Sequence, residues 1–240
     1  MNRFVQNNAL VLGLAAMILA FPAEGSINKS VKVEDGATSS GASSVNGSVT
    51  VGKNATVNGS LDTVNGAIRV DDDSVIEDAN TVNGSIKIGE NVRADRLETV
   101  NGSIGVAENS TVDGDISAVN GGITLREGSS VSEDLSNVNG DIKLRGAQVG
   151  GDISTTSGDI ELFDGAVVQG DLIVEEPGGM FWNRGKSKTP KIVIGPGCRV
   201  GGTIRLERKV KLYISESAEV GGVDGEMSMD DAVRFSGKRP

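Results

Sequence analysis

Carboxylates are the residues in this chain with both the number and the spacing to do chemistry. Asp71, Asp72 and Asp73 stand in succession, and Asp115, Asp134, Asp152 and Asp171 recur at steps of 19, 18 and 19 residues. Acids held near one another can act as general acid and base on a sugar bond, or can hold a hard cation such as Ca²⁺. Histidine is absent and cysteine occurs once, as Cys198. Zinc sites of the His/Cys type and Ser–His or Cys–His nucleophile pairs are therefore excluded by composition. Three of the four recurring aspartates sit in the context Gly-Asp-Ile or Gly-Asp-Leu, where Asp most simply accepts hydrogen bonds at a chain corner. The glycine-rich calcium repeat does not occur, and Gly-Gly pairs such as Gly201-Gly202 lack the Lys-Ser/Thr of a phosphate loop. The expectation is a chain with no catalytic residue, no metal and no cofactor.

The elements that position these acids come from one repeated phrase. It reads Val45-Asn46-Gly47-Ser48-Val49-Thr50-Val51, returns from Val64, Val82, Val100, Val119 and Val138, and fades at Thr156-Ser157-Gly158-Asp159-Ile160. Successive copies lie 18 or 19 residues apart. A fixed period of that length marks a solenoid. The phrase alternates apolar and polar residues like a strand with one buried face, its Val, Ile and final Val or Leu pointing inward. Stacking such units predicts an all-β, single-stranded parallel β-helix of eight or nine coils, about 40 Å long at about 4.8 Å per coil. Asn46, Asn65, Asn83, Asn101, Asn120 and Asn139 fall at one corner, where Asn and the following Gly tolerate left-handed backbone angles. Their amides are placed to hydrogen-bond from coil to coil as a ladder. Cys198 takes the slot of Ala147 and Ala166, which predicts a buried, inert thiol.

Residues 1–25 read as a signal peptide, with Arg3 ahead of an apolar run from Ala9 to Phe21 and small residues at Ala23 and Gly25. That run is too short to span a bilayer, and no transmembrane segment is expected after cleavage. Residues 26–44 read as an amino-terminal cap or degenerate coil, 45–223 as the solenoid, and 224–240 as a carboxyl-terminal cap. An insertion at 175–190 interrupts the pattern and holds the single tryptophan. Charge is uneven: residues 26–176 carry 10 basic and 25 acidic side chains, net −15, whereas 184–211 carry nine basic residues against Glu207 alone. The acidic body disfavours nucleic acid. The basic stretch, with an aromatic pair beside it, makes Phe181, Trp182, Arg184, Lys186 and Lys188 the candidate contacts for an anionic partner.

The phrases Gly146 to Ile153, Gly165 to Leu172 and Gly197 to Ile204, all of the form G-[AC]-x-V-x-G-[DT]-[IL], resemble those of bactofilins. The Val-Asn-Gly phrases resemble exported bacterial adhesin-like β-strand repeat proteins. The bactofilin resemblance implies a right-handed, triangular β-helix that associates end to end without a nucleotide. Hexapeptide-repeat acyltransferases share the coil length but use a histidine base, and none is present. The expected function is that of a non-enzymatic structural or scaffolding solenoid, in the periplasm or on the cell surface of a bacterium and capable of self-association. The alternative is an envelope-binding, adhesin-like module whose loop 177–191 contacts an anionic glycan, lipopolysaccharide or protein.

Overall fold

Short runs of Val, Ile and Leu alternating with polar residues make strands of two to five residues, with longer ones only near the carboxyl end at Arg199–Leu206 and Glu219–Gly225, and the Gly, Asn and Asp between them turn the chain. The computed structural model describes residues 25–177 and 188–240. Among these the chain is all-β apart from a single turn of 3-10 helix at Met229–Asp231. It winds into a parallel β-solenoid, and its longest-running face has 11 strands, one per coil.

One central coil shows the plan. Its first face is Ile86–Ile88, its second Arg93–Ala94 and its third Leu97–Asn101. Each face pairs in parallel with its counterpart one coil on, Ile86 with Ile104, Arg93 with Thr111 and Leu97 with Ile116. Ile86, Ile88, Val92, Ala94, Leu97 and Thr99 point inward and are buried. Equivalent residues in every coil stack into one continuous aliphatic spine. A core this thin leaves little room for rings. Phe163, Val193 and Phe235, with Tyr213 beside them, instead form a second apolar cluster apart from the spine. The Arg239 guanidinium lies 5.4 Å from the centre of the Phe163 ring, so the tail folds back over earlier coils.

The rod is longer than the eight or nine expected coils. Val31–Val33 pairs with Val49–Val51, and Val233–Phe235 pairs with the strand at Lys211–Ser215, so both ends extend the ladder. Eleven coils at about 4.8 Å give a length of about 50 Å. Met227 and Met229 pack against the spine near the carboxyl end. The interruption falls between Leu172–Val174 on the third face and Lys191–Ile194 on the first, after which Ile192 resumes the column above Ile160.

Two local expectations are corrected. The Val that opens each phrase does not enter the core: Val64, Val82, Val100, Val119 and Val138 are half-buried on the outer surface. Alternation runs Leu97 in, Glu98 out, Thr99 in, Val100 out, and the corner at Asn101-Gly102 then resets the phase before Ile104 turns inward. The left-handed column is also elsewhere. It lies between the first and second faces, at Asn54, Asp73, Asn91, Asn109 and Asp164, with φ of 55 to 60°. Those short polar side chains tolerate that conformation. At the Asn-Gly corner glycine is required mainly for a different reason, the close approach of one coil to the next.

Candidate functional site

Of the five residues expected to contact an anionic partner, Phe181, Trp182, Arg184 and Lys186 lie outside the described residues. Lys188 is described, and its Nζ sits 2.8 Å from Asp159 Oδ2. The Asp159 carboxylate also accepts the Lys191 amide at 2.8 Å. The neighbouring cations are similarly engaged: Lys191 with Glu161 at 2.9 Å and Arg205 with Asp171 at 2.9 Å. The basic stretch thus meets the acidic body one coil below it. Burial pushes the Asp159 carboxyl up, but the Lys188 ammonium and the Lys191 amide outweigh this and hold it below the ordinary value. A lowered folded value means that the pair stabilises the fold above the usual carboxylate range and loses that contribution as pH falls through the folded value. A carbon-13 NMR titration is expected to place the Asp159 midpoint below about 3.9, and Lys188→Met should move it upward.

The acids with chemical potential are bound into the frame. Asp115 Oδ1 accepts the Asp134 amide at 3.0 Å, Asp134 Oδ1 the Asp152 amide at 2.7 Å, and Asp152 Oδ1 the Asp171 amide at 2.8 Å. Asp171 Oδ1 then accepts the Thr203 amide at 2.7 Å. Asp72 accepts the Glu90 amide at 3.0 Å and the Lys53 ammonium at 2.7 Å, and Asp73 occupies a left-handed corner position. Among the described residues no three acids or thiols converge closely enough to hold a metal ion. Cys198 is buried, and burial raises its thiol above the ordinary value.

The asparagines form the expected ladder, and it begins one coil earlier, at Asn28. Each Nδ2 donates to the Oδ1 one coil before it, from Asn46 to Asn28 at 2.9 Å through to Asn139 to Asn120 at 3.1 Å. Asn101 is bonded to Asn83 at 2.9 Å and to Asn120 at 3.0 Å. Asn101→Ala removes both bonds and is expected to cost about 1–2 kcal/mol, measurable by urea unfolding.

The feature that sequence reasoning missed lies on the third face. Its outward middle row is in register from coil to coil: Ser43 with Asp62, Asp62 with Asn80, Asn80 with Glu98, Glu98 with Ser117. Although these side chains point away from the spine, Ser43 is 6 %, Asp62 7 %, Asn80 4 % and Ser117 5 % exposed. An outer row that deeply covered forms the floor of a shallow groove. One wall is the half-exposed valine row, and the other is the corner carrying Asp78, Arg96 and Asp115. Asp62 takes hydrogen bonds from Ser60 Oγ and from Asn80 Nδ2. Asp78 Oδ1 and Ser43 Oγ are buried without a hydrogen-bond partner. Arg96 stands 4.0 Å from both Glu98 and Asp115. Burial raises the Asp78 and Glu98 carboxyls, and Arg96 only partly offsets it. The signal was present in the residue two places before each Val of the phrase, but only register shows that these residues share a floor.

The chain was compared with protein families, with curated proteins and with solved structures, and none of them matches it. Among the described residues no helix is long and apolar enough to cross a membrane.

Proposed function

We propose that this chain is a non-enzymatic, exported β-solenoid that serves as a structural or scaffolding component of a bacterial cell envelope. The observation that carries the proposal is the fate of its reactive side chains. The aspartates whose spacing suits acid and base chemistry hold the amides of the next coil, and the only thiol is buried. A rod that invests its polar groups in its own stacking is suited to bear load or to space other components. The signal-like amino terminus and the resemblance to bactofilins and adhesin-like repeat proteins support the export and envelope assignment. Self-association through the carboxyl end would require the tail to move, because Met227 and Met229 lie against the spine there.

Electron microscopy of the purified chain tests the proposal. Rods joined into longer or wider assemblies are expected. Single rods of about 50 Å at every concentration would count against a scaffold. Degradation of an acidic polysaccharide in the presence of Ca²⁺ would overturn the non-enzymatic reading. The alternative, an envelope-binding module acting through loop 177–191, is separated by replacing 177–189 with a Gly-Ser linker. Assembly survives that change if the rod is a scaffold, and envelope retention is lost if the loop is the contact.

A further inference from the structure

We propose that the groove on the third face docks an extended basic peptide, with Asp62, Asp78 and Glu98 receiving its lysine or arginine side chains. The inference is independent of the scaffold reading and concerns a partner of opposite charge to the one expected for loop 177–191. Three observations carry it.

The first is shape. The registered row Ser43, Asp62, Asn80, Glu98 and Ser117 runs along the outside of the rod, with Glu98 partly exposed and the other four covered. The second is unfilled bonding capacity. Ser43 is more than nine-tenths buried, and its Oγ has no partner. Asp78 Oδ1, also buried, has none either. Buried polar atoms left unpaired are costly and are normally satisfied by protein, water or ligand. The third is charge. Asp78 faces Glu77, Asp95 and Asp62, Glu98 faces Asp78 and Asp115, and Arg96 is the one cation acting on both. A cluster of desolvated acids with a single cation is complementary to further positive charge.

The same features select the ligand class. Among the described residues no three acids close on one point, which disfavours a bare divalent ion. A neutral glycan would leave the desolvated carboxylates without a counter-charge, and an anionic chain would be repelled. A lysine or arginine side chain supplies charge at its tip, while its alkyl stem lies against the methyls of Val64, Val82 and Val100. Spacing agrees as well. Asp62 and Glu98 are two coils apart, about 9.6 Å at about 4.8 Å per coil, and three residues of a chain extended as polyproline II span about 9.3 Å and bring the side chain back to the same face.

The test is fluorescence anisotropy with the purified chain and a labelled short peptide carrying lysine at every third position. The lysine peptide should bind at low salt, and its acetyl-lysine counterpart should not. The double variant Asp78→Asn/Glu98→Gln should weaken binding about tenfold or more. Its Tm should stay level or rise, because both changes remove a carboxylate that burial disfavours in its charged form. The double variant Glu90→Gln/Glu127→Gln removes the same charge from the corner between the first and second faces and should leave binding within about twofold. Equal weakening by both pairs would reduce the effect to general attraction by an acidic rod and overturn the proposal. Binding of the acetylated peptide, or no binding of the lysine peptide, would overturn it equally.

Discussion

Gly84→Ala is expected to lower stability by about 3 kcal/mol or more, a fall in Tm of about 10 °C for a chain of this size. A Cβ at position 84 would stand 1.8 Å from the Gly66 carbonyl oxygen and 2.6 Å from its carbonyl carbon. Both obstacles are backbone, so no side chain can swing aside. The same contact repeats above and below, where a Cβ at Gly102 would meet Gly84 O at 1.9 Å and one at Gly66 would meet Gly47 O at 2.1 Å. Relief requires two coils to part at the corner that joins the third face to the first, which loosens both ladders. Gly105→Ala, in the next coil, is the matched control. Nothing lies within 4 Å of a Cβ there, and the change should be neutral or stabilising by about 0.5–1 kcal/mol. Thermal unfolding followed by circular dichroism reads both, and equal behaviour of the two variants would refute close approach as the reason for the glycine column.

Leu97→Ala should cost about 3–5 kcal/mol. Leu97 is fully buried, and its registered neighbours on the third face are Ala79 on one side and Ile116 on the other. Because Ala79 already fills little of its layer, the new void has no adjacent side chain to collapse into it on that side. A solenoid coil contacts mainly its immediate neighbours, so damage in mid-rod weakens the link between the two halves. Urea unfolding should show the loss, and amide hydrogen exchange should quicken most in the coils flanking residue 97. Lys87→Ala changes an outward side chain of the same coil and should stay within about 0.5 kcal/mol.

Much of the frame was legible because a solenoid repeats its instructions. The 18- or 19-residue period predicts the parallel stack, and identical residues at one corner predict the amide ladder that runs from Asn28 to Asn139. Cys198 was placed correctly by analogy with Ala147 and Ala166, since residues in register share one pocket of the spine. The recurring aspartates were rightly read as corner acceptors. Their spacing equals the coil length, which puts each carboxylate beside the next coil's amide.

Composition and period alone determined the fold class, the stacking partners and the exclusion of histidine-based chemistry. Tertiary structure decided the rest. The outward setting of Val64, Val82 and Val100 depends on a phase change at Asn-Gly that a two-residue alternation does not reveal. The pairing of Lys188 with Asp159 joins residues on opposite sides of the interrupted coil. The covered floor from Ser43 to Ser117 arises from how walls set by other residues rise on either side of it, and no local pattern encodes that depth. Periodicity reports which side chains lie in line. Only the closed coil determines whether the outer side of that line is a ridge or a groove.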